Sequence, residues 1–295
     1  MPSKSAPLFT FFESMVISKG PLADCDDRVA HSPLDKYVRV ASADEHRVLE
    51  AGTFRRKQET IRVAVADGAT ESSWSGMWAQ ILTDAFVEGT LPVDTSDGFL
   101  AALPDLAGKW KKDTEPLLDS SNQRAVRKRD QGAFATFLGI EANASEGTWK
   151  AITVGDSCLL RNSGSSKPQL ISWPVERASD FDTTPPLVTT GEGATPTPLL
   201  QEGQLENGTH LWGATDALAK FLIQWPGVLL ERERFSEVAD GLFEMLGPLQ
   251  GGGVLKMDDL TLVSLEFDKD ETVFKRRYAL HHLFRAGRML SKLSR

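Results

Sequence analysis

Apolar positions along the chain switch between two periods. Residues Leu8 to Ser18 are β-branched and aromatic and predict a first strand, and a second plausible strand begins near Arg28. Ile61–Ala66 (IRVAVA) reads as a buried strand stopped by Asp67-Gly68, because an Asp-Gly pair ends the ladder and favours a turn. From Trp74 to Val87 the spacing changes. Trp74, Met77, Trp78, Ile81, Leu82, Ala85 and Phe86 recur at i, i+3, i+4, which predicts an amphipathic helix. A more polar helical region extends from Phe99 to Lys128.

Three short strands follow, Ala133–Glu141, Thr148–Val154 and Ser157–Asn162, and their Gly-containing turns predict an antiparallel meander. Of the 46 residues from Ser163 to Gly208, 22 are Ser, Thr, Pro or Gly, so this segment is expected to be mostly loop, of lid or flap type. His210–Thr215 reads as a strand, Asp216–Trp225 and Arg232–Leu246 as helices, and Leu260–Phe267 as a last strand. Strands and helices segregate along the chain and no internal repeat interrupts them. That order favours α+β layering over a parallel doubly wound sheet.

Composition narrows the chemistry. The chain has 295 residues, with 33 Lys plus Arg against 41 Asp plus Glu, a net charge of −8. Phosphate neutralisation needs clustered cations, so the body is not expected to bind nucleic acid. Two cysteines, Cys25 and Cys158, allow neither a disulfide framework nor a four-cysteine zinc site. Asp24, Asp26 and Asp27 around Cys25 blunt its reactivity, and Cys158 reads as a small core residue. Trp74, Trp78, Trp212 and Trp225 sit on apolar stripes and are expected in the core. No apolar run approaches the roughly 20 residues of a membrane span, and the first 20 residues make a poor signal peptide. The expected location is cytoplasmic.

The aspartates carry the functional signal. Asp67 follows IRVAVA, Asp156 follows AITVG, Asp216 follows HLWGAT, and Asp258-Asp259 precede LTLVSLEF. Asp26-Asp27 precede the strand near Arg28. Acidic residues at strand edges can be brought together by a sheet, where they repel and raise one another's pKa. A hard cation with oxygen ligands removes that cost, which suggests Mg²⁺, Mn²⁺ or Ca²⁺. No G-x-S-x-G elbow, H-E-x-x-H pair or Gly-rich phosphate cradle offers a different chemistry.

In their order these motifs resemble the type-2C family of metal-dependent protein phosphatases, over about residues 8 to 267. DCDDR matches the family's early acidic pair, VAVADG (Val63–Gly68) its strand-Asp-Gly signature, and GAFATFLG (Gly132–Gly139) its following strand. VGDSCLLR (Val154–Arg161) matches the Gly-Asp-Ser turn, LWGATDAL (Leu211–Leu218) the Thr-Asp opening of a helix, and DDLTLV (Asp258–Val263) the closing strand. The resemblance implies two antiparallel β-sheets packed as a sandwich flanked by helices. It implies hydrolysis of phosphoserine and phosphothreonine on proteins by a metal-bridging hydroxide, with two or three Mn²⁺ or Mg²⁺ ions.

By the same resemblance Asp67 bridges two metals, helped by the Gly68 carbonyl. Asp216 and Asp258 complete one metal, the Asp26-Asp27 pair supplies the other (through Asp26 and water), and Asp156 with Asp216 holds a third. Asp67, Asp216 and Asp258 are thus the expected catalytic residues. This sequence departs from the family at Ala217, at Asp259 (Asn in the family) and at Cys158 (Arg in the family). It also lacks the phosphate-gripping Arg before the acidic pair, where SKGPLADCDD offers Lys19 as the nearest cation. Two other functions fit the same motifs: a pseudophosphatase that binds phosphoproteins as a scaffold, and a hydrolase of small phosphoesters.

Residues 1–270 are expected to form the phosphatase domain. The rest is a tail with seven cations and one anion, and Val273, Leu280, Leu283, Phe284, Leu290 and Leu293 recur at helical spacing. That pattern predicts a basic amphipathic helix at 271–295, docking on the acidic body or on an acidic partner protein, with a membrane the least favoured surface.

Overall fold

The computed structural model describes residues 9–17, 27–31, 34–42, 47–54, 60–69, 72, 74–118, 121–162, 169–181, 184–191, 193, 195–230 and 258–268. Lys19, Asp26, the helix expected at 232–246 and the tail at 271–295 lie outside these residues. In chain order the elements are β1 (Phe9–Ile17), β2 (Asp27–His31), β3 (Leu34–Ser42), β4 (Arg47–Phe54), β5 (Thr60–Gly68), α1 (Ser75–Glu88), α2 (Ser96–Thr114) and α3 (Gln123–Asp130). Then come β6 (Phe134–Asn143), β7 (Thr148–Val154), β8 (Cys158–Asn162), β9 (Leu170–Trp173), β10 (Val188–Thr189), β11 (Leu199–Gln204), β12 (Thr209–Ala214), α4 (Asp216–Gln224), α5 (Gly227–Leu230) and β13 (Leu260–Asp268).

The strands form two antiparallel sheets, as the expected α+β sandwich requires. One has the order β3-β4-β1-β13-β12-β8-β9, the other β11-β7-β6-β5-β2 with β10 added beside β6. β5 shows why its sequence is nearly all apolar. Val63 and Val65 pack between the sheets, while Ala64 and Ala66 pack under α1 and α2, so both faces are buried. β13 repeats the alternation: Val263, Leu265 and Phe267 face the inter-sheet core, and Leu260 and Leu262 face α4 with Leu218, Phe221 and Leu222. The layers therefore run helix, sheet, sheet, helix.

Phe137 anchors the helical layer, its ring 5.7 Å from Phe86 on α1 and 5.6 Å from Phe99 on α2. Truncating it opens a cavity under both helices. Phe137→Ala is expected to cost about 3–5 kcal/mol, read as a fall in the denaturant midpoint at unchanged slope.

Three features differ from the sequence reading. β6 and β7 pair as a hairpin, but β8 crosses to the other sheet and pairs with β12, so the meander ends after two strands. The segment 163–208, expected to be mostly loop, also carries three short strands that were not anticipated, for β9, β10 and β11 pair with β8, β6 and β7. Most of its described Ser, Thr, Pro and Gly residues lie between those strands, as a loop composition predicts. Trp225 is 57% exposed and stands outside the core, because it follows α4 at its C-terminal cap. Strands β3 (LDKYVRVAS) and β4 (RVLEAGTF) were not anticipated, although Val38, Val40, Val48 and Leu49 give them apolar positions of strand type.

Candidate metal centre

β5 delivers Asp67 and Gly68 to one end of its sheet. The antiparallel register sets Asp27 of β2 opposite Asp67, and Thr136 of β6 opposite Asp67 on the other side. In the facing sheet, β12 passes through Thr215 into α4, whose first turn begins with Asp216. Asp258 and Asp259 stand immediately before β13. Gly68 is required by packing: a Cβ there would lie 2.7 Å from the carbonyl carbon of Ser75, so the N-terminus of α1 rests directly on the strand end.

Two threonines lock the sheets together at this end. Thr215 Oγ1 and Thr261 Oγ1 both donate to Asp27 Oδ2, at 3.1 and 2.6 Å. The Thr261 amide donates back to Thr215 Oγ1 at 3.1 Å, and the Thr215 amide to the Thr261 carbonyl at 3.2 Å. Asp27, only 3% exposed, therefore ties β2 of one sheet to β13 of the other and to the β12–α4 junction. Sequence reasoning missed the threonines' role. The signal was present, since both sit inside the matched motifs, in ATD and DDLT.

The electrostatics show which carboxylates meet. Burial pushes Asp67 well above the usual carboxylate range, and the charges of Asp27, Asp216 and Asp258 push it further. Burial raises Asp27 to about 7, with Asp259 adding repulsion and the two threonine hydroxyls opposing it. The structure thus gathers Asp27, Asp67, Asp216 and Asp258 within one electrostatic neighbourhood. Asp156 adjoins the same end, for Cys158 pairs with Ala214 across β8 and β12, and its thiol feels both Asp156 and Asp216. Burial first, then these charges, raises Cys158 to about 12, an inert core thiol.

Among the described residues no three His, Cys, Asp or Glu side chains form a ready-made metal-ligating group. The donor chemistry nevertheless suits a hard divalent cation. Carboxylates whose burial, and then mutual repulsion, raises their proton affinity are relieved by Mg²⁺ or Mn²⁺ as they are by protons.

This coupling has a sign. Below pH 3.8 Asp27 holds its proton in folded and unfolded chains alike, whereas from 3.8 to about 7 only the folded chain keeps it. Metal-free stability should therefore fall as pH rises through that window. Melting curves in chelator are expected to show a steeper loss between pH 3.8 and about 7 for the wild type than for Asp27→Asn. Equal slopes would contradict the assignment.

No protein-family model matches the chain, and no curated protein matches it. Solved structures do resemble it. The serine/threonine phosphatase of S. agalactiae has a TM-score of 0.53 at 14% identity, covering 86% of this chain and 98% of its own. RsbX in complex with magnesium gives 0.49 at 14% identity over 88% of this chain and 96% of its own. The catalytic domain of the serine/threonine phosphatase PstP with two manganese ions gives 0.45 at 16%, over 86% and 99%. No helix among the described residues is long and apolar enough to cross a membrane. The sandwich order, the strand-end carboxylates and the S. agalactiae likeness agree: the chain has the fold of the type-2C phosphatases.

Proposed function

We propose that the chain is a divergent type-2C phosphatase that hydrolyses phosphoserine and phosphothreonine in proteins with the help of two divalent ions. The observation that carries this reading is the pairing of Asp27 with Asp67 at the end of a phosphatase-fold sandwich, with Asp216 and Asp258 near enough for their charges to act on Asp67. Asp67, helped by the Gly68 carbonyl, would hold both ions, Asp216 and Asp258 one of them, and Asp26 the other through water, with Asp156 and Asp216 available to a third. Two such ions supply an acidified water and positive charge for the phosphoryl oxygens.

The chain's own residues prepare that site. Asp27, fixed by Thr215 and Thr261, holds β2 against β5 and so sets the position of Asp67. The close seat of α1 on Gly68 fixes the peptide that carries the Gly68 carbonyl. Burial of the cluster strengthens each charge interaction with a phosphate dianion and its ions. No nucleophilic Ser or Cys is needed, in keeping with the inert Cys158.

A phosphoprotein-binding pseudophosphatase is the second reading, favoured by the missing Arg before Asp26-Asp27, where Lys19 would have to serve as a point charge. A small-phosphoester hydrolase is the third. One assay separates them: turnover of an aryl phosphate and a phosphothreonine peptide, with Mn²⁺, with Mg²⁺ and with chelator. The phosphatase reading expects turnover of both substrates that chelator abolishes. Binding of the peptide without turnover would support the pseudophosphatase, and turnover of the aryl phosphate alone the small-ester hydrolase.

A further inference from the structure

The chain is acidic at net −8, yet α3 reads QRAVRKRD, four cations in eight residues. The last turn of α2 adds Lys111 and Lys112. Arg129 binds the two helices together, for its guanidinium pairs with Glu115 and donates to the Lys111 carbonyl at 3.2 Å. Lys111, Lys112 and Arg127 remain exposed, and Leu117 between the helices is 55% exposed.

Two tethers place this basic surface at the carboxylate end of the sandwich. Trp110, next to Lys111, donates its indole N–H to the Trp74 carbonyl at 3.3 Å, on the segment that follows Asp67-Gly68. α3 runs through Gly132 directly into β6, where the Ala69 amide donates to the Phe134 carbonyl at 2.9 Å and Thr136 faces Asp67. Chain geometry keeps Arg127 at most about 25 Å from Thr136.

We propose that the α2–α3 surface binds acidic residues flanking the phosphorylated residue of a protein substrate, within about seven residues of it by that reach. The proposal rests on the phosphatase reading above and names its substrate class. An incoming phosphopeptide is repelled by the acidic body, and a cationic surface beside the site offsets that repulsion and raises the rate of encounter. Single exposed ion pairs contribute little, so the effect is collective. Beside the exposed Asp113, Glu115 and Asp130, the exposed large apolar side chain among the described residues of the patch is Leu117, which suits an aliphatic peptide side chain, whereas single-stranded nucleic acid binding relies on aromatic stacking.

The test is fluorescence anisotropy with the full chain in chelator at low salt. The probes are a labelled phosphothreonine peptide with Asp and Glu flanks, the same peptide with Ser and Gly flanks, and an oligothymidylate of matched charge. The acidic peptide is expected to bind about tenfold tighter than the neutral one, with the gap closing near 0.5 M salt. The exposed-site variant Lys111→Glu/Lys112→Glu/Arg127→Glu should erase that gap, while Arg177→Glu, an exposed cation after β9, should leave it. Equal affinity for the two peptides, or a gap that survives the triple variant, would overturn the proposal. So would oligothymidylate binding as tightly as the acidic peptide. Failure of the phosphatase reading looks different: a flank-dependent gap in binding with no metal-dependent hydrolysis.

Discussion

Asp67→Asn is expected to abolish metal-dependent phosphatase activity while leaving a folded chain. Loss of an outer-shell partner of a metal ligand costs about 10–100-fold, so loss of the carboxylate proposed to hold both ions should exceed about a thousandfold. The same substitution should be neutral or slightly stabilising in chelator. Burial, and then the charges of Asp27, Asp216 and Asp258, already favour the neutral carboxyl there, so a neutral amide of the same shape costs little. Inactivity through misfolding would instead lower the metal-free melting temperature. Asp216→Asn should follow the same pattern, active-site loss without loss of fold.

The second large effect separates adjacent residues. Asp258→Asn should be inactive and Asp259→Asn active. The charge of Asp258 acts on Asp67, whereas that of Asp259 acts on Asp27, and the Asp259 amide donates to Asp258 Oδ1 at 3.1 Å. Asp258 thus acts on the carboxylate proposed to bridge the ions, whereas Asp259, 3% exposed, acts on its neighbour Asp27. Asn at position 259 is also the residue of the resembled family. Removing the Asp259 charge relieves Asp27 without touching the proposed ligands. Steady-state rates for the two variants at saturating Mn²⁺ decide the matter. An inactive Asp259→Asn beside an active Asp258→Asn would shift the ligand register by one residue.

Much of this was legible in the sequence because function and folding use the same punctuation. Asp67, Asp216 and Asp258 sit where apolar strands stop or start, so hydrophobic patterning located them before any topology was known. IRVAVA announced a strand buried on both faces, and the structure gives it helices on one side and a sheet on the other. The crossing of β8 to the second sheet was not legible, since Gly155-Asp156 marks a turn without saying which sheet receives the next strand. The roles of Thr215 and Thr261 were also hidden. They come from residues 46 apart meeting across two strands on a third element, Asp27, and no local pattern reports such a meeting. β9 to β11 were masked by a composition suited to loops, although ladder pairing needs backbone groups more than apolar side chains.

The most direct measurement is a calorimetric titration of the metal-free chain with Mn²⁺, repeated on Asp67→Asn. Wild type is expected to bind at least two ions and to gain about 2.7 kcal/mol of stability when free metal reaches 100 times its dissociation constant. Asp67→Asn should lose that binding while melting at the same temperature or higher in chelator. A wild-type chain that takes up no Mn²⁺, or an Asp67→Asn chain that binds it as well as wild type, would contradict a metal centre built on Asp67.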